Sequence, residues 1–116
     1  MLLSESDWIV PQLPTGPGTR DLLGRTELSQ IKSGACIVNV ANAPIINREA
    51  LIEALRSGRL RGLALDVHYS EPVPDDDELL AFDNVILTPR MAGSPRFNGL
   101  KDFEQLITGL ARELAR

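Results

Sequence analysis

Four short runs of this chain are apolar at successive positions rather than at every second position. They cover residues 8–10, 35–40, 62–66 and 85–87 and are rich in Val, Ile, Leu and Ala. Strands of this kind are typical of a parallel sheet with both faces covered, because neither set of side chains then meets water. The pattern predicts a parallel sheet of about four strands.

Helical patterns separate these runs. Residues 26–32 read as one helix, and residues 48–57 read as a second helix with Asn47 as its N-cap and Gly58 at its end. The second helix places three apolar residues on one side, which we expect to be buried: Leu51, Ile52 and Leu55. Alternation of strand and helix predicts an α/β fold with a doubly wound sheet.

The C-terminal segment has the pattern of a long amphipathic helix. Ser94 is suited to cap it and Pro95 to its first turn. Its apolar residues recur at helical spacing and form one stripe: Phe97, Leu100, Phe103, Leu106, Ile107, Leu110 and Leu114. A stripe of this length requires a partner surface.

Composition limits the possible classes of function. The 116 residues are 43% hydrophobic and carry a net charge of -4, which fits one domain over residues 1–116 and gives no basic patch for nucleic acid or an anionic membrane. No apolar run reaches the roughly 18 residues of a membrane-spanning helix. One cysteine, Cys36, suits a reducing compartment. We therefore expect a cytoplasmic protein without membrane or nucleic-acid partners.

Charged residues follow the last two predicted strands. Asp66 ends one strand and Glu71 follows it, while Arg90 comes directly after Thr88-Pro89 at the end of the next. The carboxyl ends of parallel strands share one edge of a sheet, so we expect Arg90 and Glu71 to form an ion pair there. Asp66 in such a position often accepts backbone amides of a turn.

Two further motifs have the composition of a metal site and of a phosphate-binding loop, but their residue spacing does not fit these sites. Residues 75–77 are consecutive Asp, but they lack the spaced ligands of a calcium loop and better suit the solvated start of a helical turn over residues 76–81. No metal site is predicted. The stretch Gly16-Pro17-Gly18 lacks a third glycine, because Asp21 takes that position and would repel phosphate, so we interpret it as a turn.

Motifs spread over most of the chain resemble one known family. They are Ser6-Asp7 before the first strand, Leu13-Pro14, Thr19, Leu22-Leu23-Gly24, Asn39-Val40-Ala41, Asn47, Ala50-Leu51, Asp66, Glu71-Pro72 and Thr88-Pro89. Together, residues 6–93 resemble the second half of the NAD-binding domain of the D-isomer-specific 2-hydroxyacid dehydrogenases. The resemblance implies a partial Rossmann-like three-layer fold whose glycine-rich first half would precede residue 1.

The resemblance also implies an activity and the residues that serve it. Family members transfer hydride between NAD or NADP and a 2-hydroxy or 2-keto acid. The carboxylate-binding Arg of the family corresponds to Asn42, the Glu that tunes the acid/base corresponds to Glu71, and the acid/base His corresponds to Arg90. The cofactor contacts implied are Pro14, Ala41, Asp66, Ala92 and Gly93.

Two of the three catalytic positions depart from the family pattern. Asn42 cannot make the charge-assisted contact that Arg makes to a carboxylate, and Arg90 is always protonated near neutral pH. We therefore expect the chain alone to be inactive and to bind NAD weakly, since most phosphate contacts belong to the glycine-rich half. A rescue would have Arg90 bind the substrate carboxylate while His68 or water relays the proton.

The alternative is a non-catalytic interaction or dimerisation module with an inherited fold. Without the first half, the strand at residues 8–10 becomes an open apolar edge. We expect a homo-oligomer formed through this edge or the C-terminal stripe, or a partner that supplies the missing half.

Overall fold

The computed structural model describes residues 2–92 and 99–115. Its strands are β1 (Trp8–Ile9), β2 (Ala35–Asn39), β3 (Leu60–Leu65) and β4 (Val85–Leu87). Its helices are α1 (Leu2–Glu5), α2 (Arg25–Gln30), α3 (Arg48–Arg56) and α4 (Gly99–Leu114), with short 3-10 turns at Ala43–Ile45 and Glu78–Ala81. The four predicted strands and both central helices are confirmed within two residues, whereas α1 and the turn at Ala43–Ile45 were not predicted.

The four strands form one parallel sheet in the order β1-β2-β3-β4. Register is set by pairs such as Ile37 with Leu63 and Leu65 with Leu87. Because every strand runs in the same direction, the carboxyl ends of β2, β3 and β4 lie side by side. The predicted parallel α/β fold is confirmed, and its carboxyl edge collects the loops that carry the candidate site residues.

The core lies between one face of this sheet and helices α2 and α3. It is formed by apolar side chains that are almost fully buried, among them Leu28, Ile31, Ile37, Leu51, Leu55, Leu63 and Leu65. Helix α3 starts where predicted, because Asn47 Oδ1 accepts a hydrogen bond from the Ala50 amide at 3.0 Å. It ends before Gly58, which has a φ of +74° that favours glycine.

The opposite face of the sheet carries the alternate side chains of each strand. Trp8 pairs in register with Cys36 and Cys36 with Gly62, and Val38 pairs with Ala64 and Ala64 with Ile86. We call this the open face and define it by these six residues. Trp8 is 60% exposed and Ile86 is 64% exposed. The two edge strands thus present large apolar side chains to solvent.

Helix α4 spans Gly99–Leu114. Three apolar residues of the predicted stripe are exposed on it: Ile107, Leu110 and Leu114. The predicted cap at Ser94 and Pro95, together with Phe97, lies outside the described residues. In the part of the chain that the structure describes, no helix is long and apolar enough to cross a membrane.

Candidate active site at the carboxyl edge of the sheet

Asn39 organises the loop that follows β2. Its side chain is fully buried, and Oδ1 accepts hydrogen bonds from the amides of Ala41 at 3.1 Å and Asn42 at 3.3 Å. Its Nδ2 donates to the Asn42 carbonyl at 2.7 Å. Sequence reasoning gave Asn39 no role, although a polar residue ending an apolar strand was an available signal.

The side chain of Asn42 makes a structural contact. Its Nδ2 donates to the Leu13 carbonyl at 2.8 Å and so joins the loop after β2 to the loop after β1. In that loop the Pro14 carbonyl accepts a hydrogen bond from Thr19 Oγ1 at 2.7 Å. Asn42, which we predicted at the position of the family's carboxylate-binding Arg, thus bridges two loops through its side-chain amide.

Asp66, directly after β3, joins three strands through its backbone and side chain. Its amide donates to the Asn39 carbonyl at 3.0 Å. Its Oδ1 accepts from Thr88 Oγ1 and the Met91 amide, both at 2.6 Å, and its Oδ2 accepts from the Ala92 amide at 2.9 Å. This carboxylate therefore fixes the segment that follows β4.

The charge of Asp66 is stabilised where it lies. Only 7% of the residue is exposed, yet the hydrogen bond from Thr88 and the amides of Ala92 and Met91 lower the pKa of its carboxyl, outweighing the opposing effect of burial. Asp66 is therefore a fixed negative charge at the sheet edge. Ala92, predicted to contact a cofactor, is held by it, and Gly93 lies outside the described residues.

Glu71 and Arg90 form the predicted ion pair. The Nε of Arg90 lies 2.8 Å from both carboxylate oxygens of Glu71. The Arg90 guanidinium lowers the pKa of the Glu71 carboxyl, and that carboxylate raises the pKa of Arg90. Arg90 adopts a φ of +54°, and its amide donates to the carbonyls of Asp66 and Thr88. Arg90 cannot exchange a proton in this environment.

His68 lies beside the same ion pair. Its Nε2 is 2.8 Å from the Thr88 carbonyl oxygen, which can only accept, so Nε2 carries the proton and Nδ1 is the free acceptor. The His68 amide donates to Glu71 Oε1 at 3.3 Å. The structure therefore brings His68, Glu71 and Arg90 together, with Nδ1 as the atom of His68 that is able to take up a proton.

Two cavities divide the candidate residues. A cleft of about 510 Å³ is lined by His68, Glu71 and Arg90, with apolar walls that include Val73, Leu80 and Leu87. A groove of about 270 Å³ is lined by Asp66, Met91 and Ala92, with Val40 and Ala64 among its apolar residues. Thr88 lines both. Of the predicted cofactor contacts, Asp66 and Ala92 line the groove, whereas Pro14 and Ala41 line neither of these two cavities.

The remaining motifs make internal contacts. Asp77 accepts from the Leu79 amide and pairs with Arg48, both at 2.9 Å, and so caps the 3-10 turn at Glu78–Ala81. Among the described residues, no cluster of His, Cys, Asp or Glu has the arrangement of a metal site. In the turn after β1, the Thr19 and Arg20 amides both donate to the Gly16 carbonyl. Those two amides are already used and do not form a phosphate loop.

A family model matches most of this chain. The model describes the NAD-binding domain of the D-isomer specific 2-hydroxyacid dehydrogenases, and it matches residues 1–92. The chain belongs to this family. The resemblance inferred from the sequence motifs is confirmed, and the four-stranded parallel sheet is part of an NAD-binding domain.

Individual relatives and solved structures agree with this assignment. The glyoxylate/hydroxypyruvate reductase B of Erwinia tasmaniensis is 37% identical over 113 residues, which cover 94% of this chain and 35% of the relative. The D-3-phosphoglycerate dehydrogenase of Methanocaldococcus jannaschii is 43% identical over 93 residues, or 80% of this chain and 18% of the relative. The chain thus spans about a third or less of the length of these relatives.

Solved structures share the fold at moderate identity. The D-mandelate dehydrogenase of Rhodotorula graminis superposes with a TM-score of 0.80 at 35% identity, covering 90% of this chain and 30% of that one. A D-isomer specific 2-hydroxyacid dehydrogenase of Xanthobacter autotrophicus, solved with NADPH and MES, gives a TM-score of 0.75 at 42% identity, covering 78% of this chain and 29% of that one.

Proposed function

We propose that this chain is the nicotinamide-facing half of the cofactor domain of an oxidoreductase that interconverts 2-hydroxy and 2-keto acids. The observation that carries the proposal is the Asp66 carboxylate, which holds the Thr88, Met91 and Ala92 groups in place beside the Glu71 and Arg90 pair. This arrangement joins the edge of a cofactor groove to the edge of a substrate cleft.

The groove suits the nicotinamide end of NAD or NADP. Its walls include the apolar Val40, Ala64 and Ala92, against which a flat ring can pack, and Asp66 also lines it. When bound, the cofactor supplies the hydride. The chain's residues contribute packing and orientation, with Pro14, Ala41 and Ala92 as the further cofactor contacts that the family membership suggests.

The phosphates of the cofactor require a different part of the domain. A dinucleotide-binding fold holds the pyrophosphate with backbone amides of a glycine-rich turn at a helix N-terminus. In this chain the Thr19 and Arg20 amides are used within their own turn, where both donate to the Gly16 carbonyl. We therefore propose that cofactor binding requires a second segment that supplies this half of the domain.

Chemistry at the substrate side is altered in this chain. Arg90 keeps its proton, and the Asn42 amide donates to a loop carbonyl, so neither serves the role of the family residue it replaces. We propose that the chain alone is inactive for this reason as well as for the missing phosphate contacts. In the rescue hypothesis, Arg90 binds the substrate carboxylate and His68 Nδ1 exchanges the proton.

A second candidate function, that of a non-catalytic module, is supported by a separate observation. The two residues that depart from the family pattern both make internal contacts, Asn42 with Leu13 and Arg90 with Glu71. A non-catalytic module with a dehydrogenase fold would retain such structural contacts. This candidate predicts that no form of the protein turns over substrate. It agrees with the first candidate on the fold and differs from it on cofactor binding.

Calorimetric titration of NADPH and NADH separates the two candidates. The chain alone should give no saturable heat at micromolar cofactor, and a fusion that adds the glycine-rich half of the Erwinia reductase should bind with a micromolar dissociation constant. A matched fusion with that glycine-rich turn mutated to non-glycine residues is the control. Failure of the intact, folded fusion to bind either cofactor would favour the non-catalytic module.

A further inference from the structure

The larger cleft at the carboxyl edge has the size and the lining of a small-molecule site. Its volume of about 510 Å³ lies within the range of roughly 300–1,000 Å³ that is typical of ligand pockets. Its apolar lining includes Val73, Leu80 and Leu87, and Leu80 is 53% exposed. Ligand pockets combine such apolar walls with a few polar groups that fix the orientation of the ligand. The cleft therefore offers a surface for the hydrocarbon part of a small molecule.

Arg90 supplies hydrogen-bond donors to this cleft. Its Nε donates to both carboxylate oxygens of Glu71, at 2.8 Å each. Within the part of the chain that the structure describes, the two terminal amino groups of Arg90 have no acceptor. These groups form the planar fork that binds a carboxylate through two parallel hydrogen bonds. Arg90 can therefore hold Glu71 and a ligand carboxylate at the same time.

The backbone of Arg90 is held in one position. It adopts a φ of +54°, which is uncommon for a residue other than glycine. Its amide donates to the carbonyls of Asp66 and Thr88, both at 3.1 Å, and so keeps this conformation in place. Because the guanidinium starts from a fixed point, less ordering is needed when a ligand binds to it.

Carboxylates outnumber cations among the described residues that line the cleft. Glu71 and Asp75 are negative and Arg90 is positive, while His68 donates through Nε2 to the Thr88 carbonyl and keeps Nδ1 as an acceptor. A simple anion would be attracted by one of these charges and repelled by two. A simple cation would leave the terminal amino groups of Arg90 unpaired. A ligand that carries one negative and one positive group satisfies both sets of partners.

We propose that this cleft binds an α-amino acid with an aliphatic side chain. The ligand carboxylate accepts hydrogen bonds from the terminal amino groups of Arg90, and its ammonium group is balanced by Glu71 and Asp75. Its side chain packs against Leu80 and Leu87. This ligand site goes beyond the proposed oxidoreductase activity and needs no cofactor. In the complete domain, the amino acid would compete with any 2-hydroxy acid whose carboxylate binds Arg90.

Titration of leucine into the isotope-labelled full chain, without cofactor, tests the proposal by two-dimensional NMR. The two enantiomers are titrated separately. At least one should shift the amides of Glu71, Val73 and Leu80, with a dissociation constant of about 1 mM, as suits a ligand of this size. Isocaproate, which lacks the ammonium group, and isoamylamine, which lacks the carboxylate, should each bind at least about tenfold more weakly.

Paired variants test the two charged contacts separately. Arg90→Gln should weaken leucine binding at least about tenfold, because an amide cannot replace the charged fork. Its control is Arg56→Gln, which alters an exposed arginine that pairs with Glu78 and does not line the cleft. Asp75→Asn should lower the preference for leucine over isocaproate at least about threefold. The neighbouring exposed Asp76 does not line the cleft, so Asp76→Asn should leave this preference unchanged.

Three results would overturn the proposal. They are the absence of shifts at the cleft with either enantiomer up to about 10 mM, equal binding of leucine and isocaproate, and unchanged leucine binding by Arg90→Gln. Amide dispersion in the same spectra reports whether each variant is folded, and if Arg90→Gln does not fold, the comparison of Asp75→Asn with Asp76→Asn decides. Because no cofactor is added, these results are independent of the NADPH titration that tests the oxidoreductase function.

Discussion

Three side chains at the carboxyl edge show how single residues set the chemistry of this site. Asp66 holds the Thr88–Ala92 segment in position, and Glu71 and Arg90 each keep their charge because they form an ion pair.

Replacing Arg90 with histidine should restore the missing proton transfer. In a fusion that carries the glycine-rich half, Arg90→His places an imidazole next to the Glu71 carboxylate, and general acid catalysis of this kind contributes about 10²-fold to 10⁴-fold. When both fusions also carry Asn42→Arg, which returns the carboxylate-binding group, we expect NADPH oxidation with glyoxylate or hydroxypyruvate to be at least about 100-fold faster with His than with Arg at position 90.

A matched variant and the unmodified fusion are the controls for the Arg90→His experiment. Arg56→His alters another exposed arginine, which lies on α3 and pairs with Glu78. This variant should leave turnover unchanged. Turnover by the unmodified fusion that falls when Arg90 is replaced would instead support the rescue hypothesis, in which Arg90 binds the substrate carboxylate.

The charge of Asp66 should make stability depend on pH. Because its pKa is lowered in the folded state, its contribution is complete above the unfolded value of about 3.9 and is lost as pH falls through the folded pKa. Urea unfolding should show wild type more stable than Asp66→Asn at pH 7, with the difference shrinking below about pH 4. An equal difference at pH 7 and at pH 2 would contradict this account.

At the scale of elements, the apolar runs and the helix cap in the sequence predicted the strands and helix α3 well. Burial of apolar side chains and capping of helix ends are the interactions that form these elements. The continuous apolar runs became parallel strands, and Asn47 became the cap of α3 because its side chain is in reach of the Ala50 amide. The loops were harder to predict. The role of Asn39 depends on where the chain turns after β2, and the contacts of Asp66 join segments more than 20 residues apart.

The cap of α3 offers a test at this scale. Asn47→Ala should lower the free energy of unfolding by about 1 kcal/mol, because the Ala50 amide loses its acceptor. Asn47→Ser keeps a hydroxyl acceptor and should remain close to wild type. Chemical denaturation of the three proteins measures both values, and equal losses for Ala and Ser would show that the cap is not the cause.

Buried Asn39 provides a second test, in the loop that follows β2. Asn39→Ala leaves the partly buried amides of Ala41 and Asn42 without their acceptor, and such a loss costs about 1 to 3 kcal/mol. Ser33→Ala, at an exposed position outside these contacts, is the matched control. Chemical denaturation should show the loss for Asn39→Ala only.

At the scale of the whole molecule, one face of the sheet is packed with helices and carries the core, while large apolar side chains elsewhere are exposed. The core between the sheet and helices α2 and α3 is closed, while Trp8 and Ile86 on the opposite face of the sheet and Ile107, Leu110 and Leu114 on α4 are exposed. Among the described residues, the carboxyl edge offers a groove and a cleft but no phosphate-binding turn. These features agree with the proposal that cofactor binding requires a second segment that supplies the glycine-rich half of the domain.

The most direct test of this account is to map the residues of the chain to which NADPH binds. In the fusion with the glycine-rich half, amide resonances should be recorded by two-dimensional NMR as NADPH is added. We predict that the largest shifts fall on Ala41, Asp66 and the 88–92 segment, at the carboxyl edge. Shifts confined to the surface of α2 and α3, or no shifts in a folded fusion, would contradict the account.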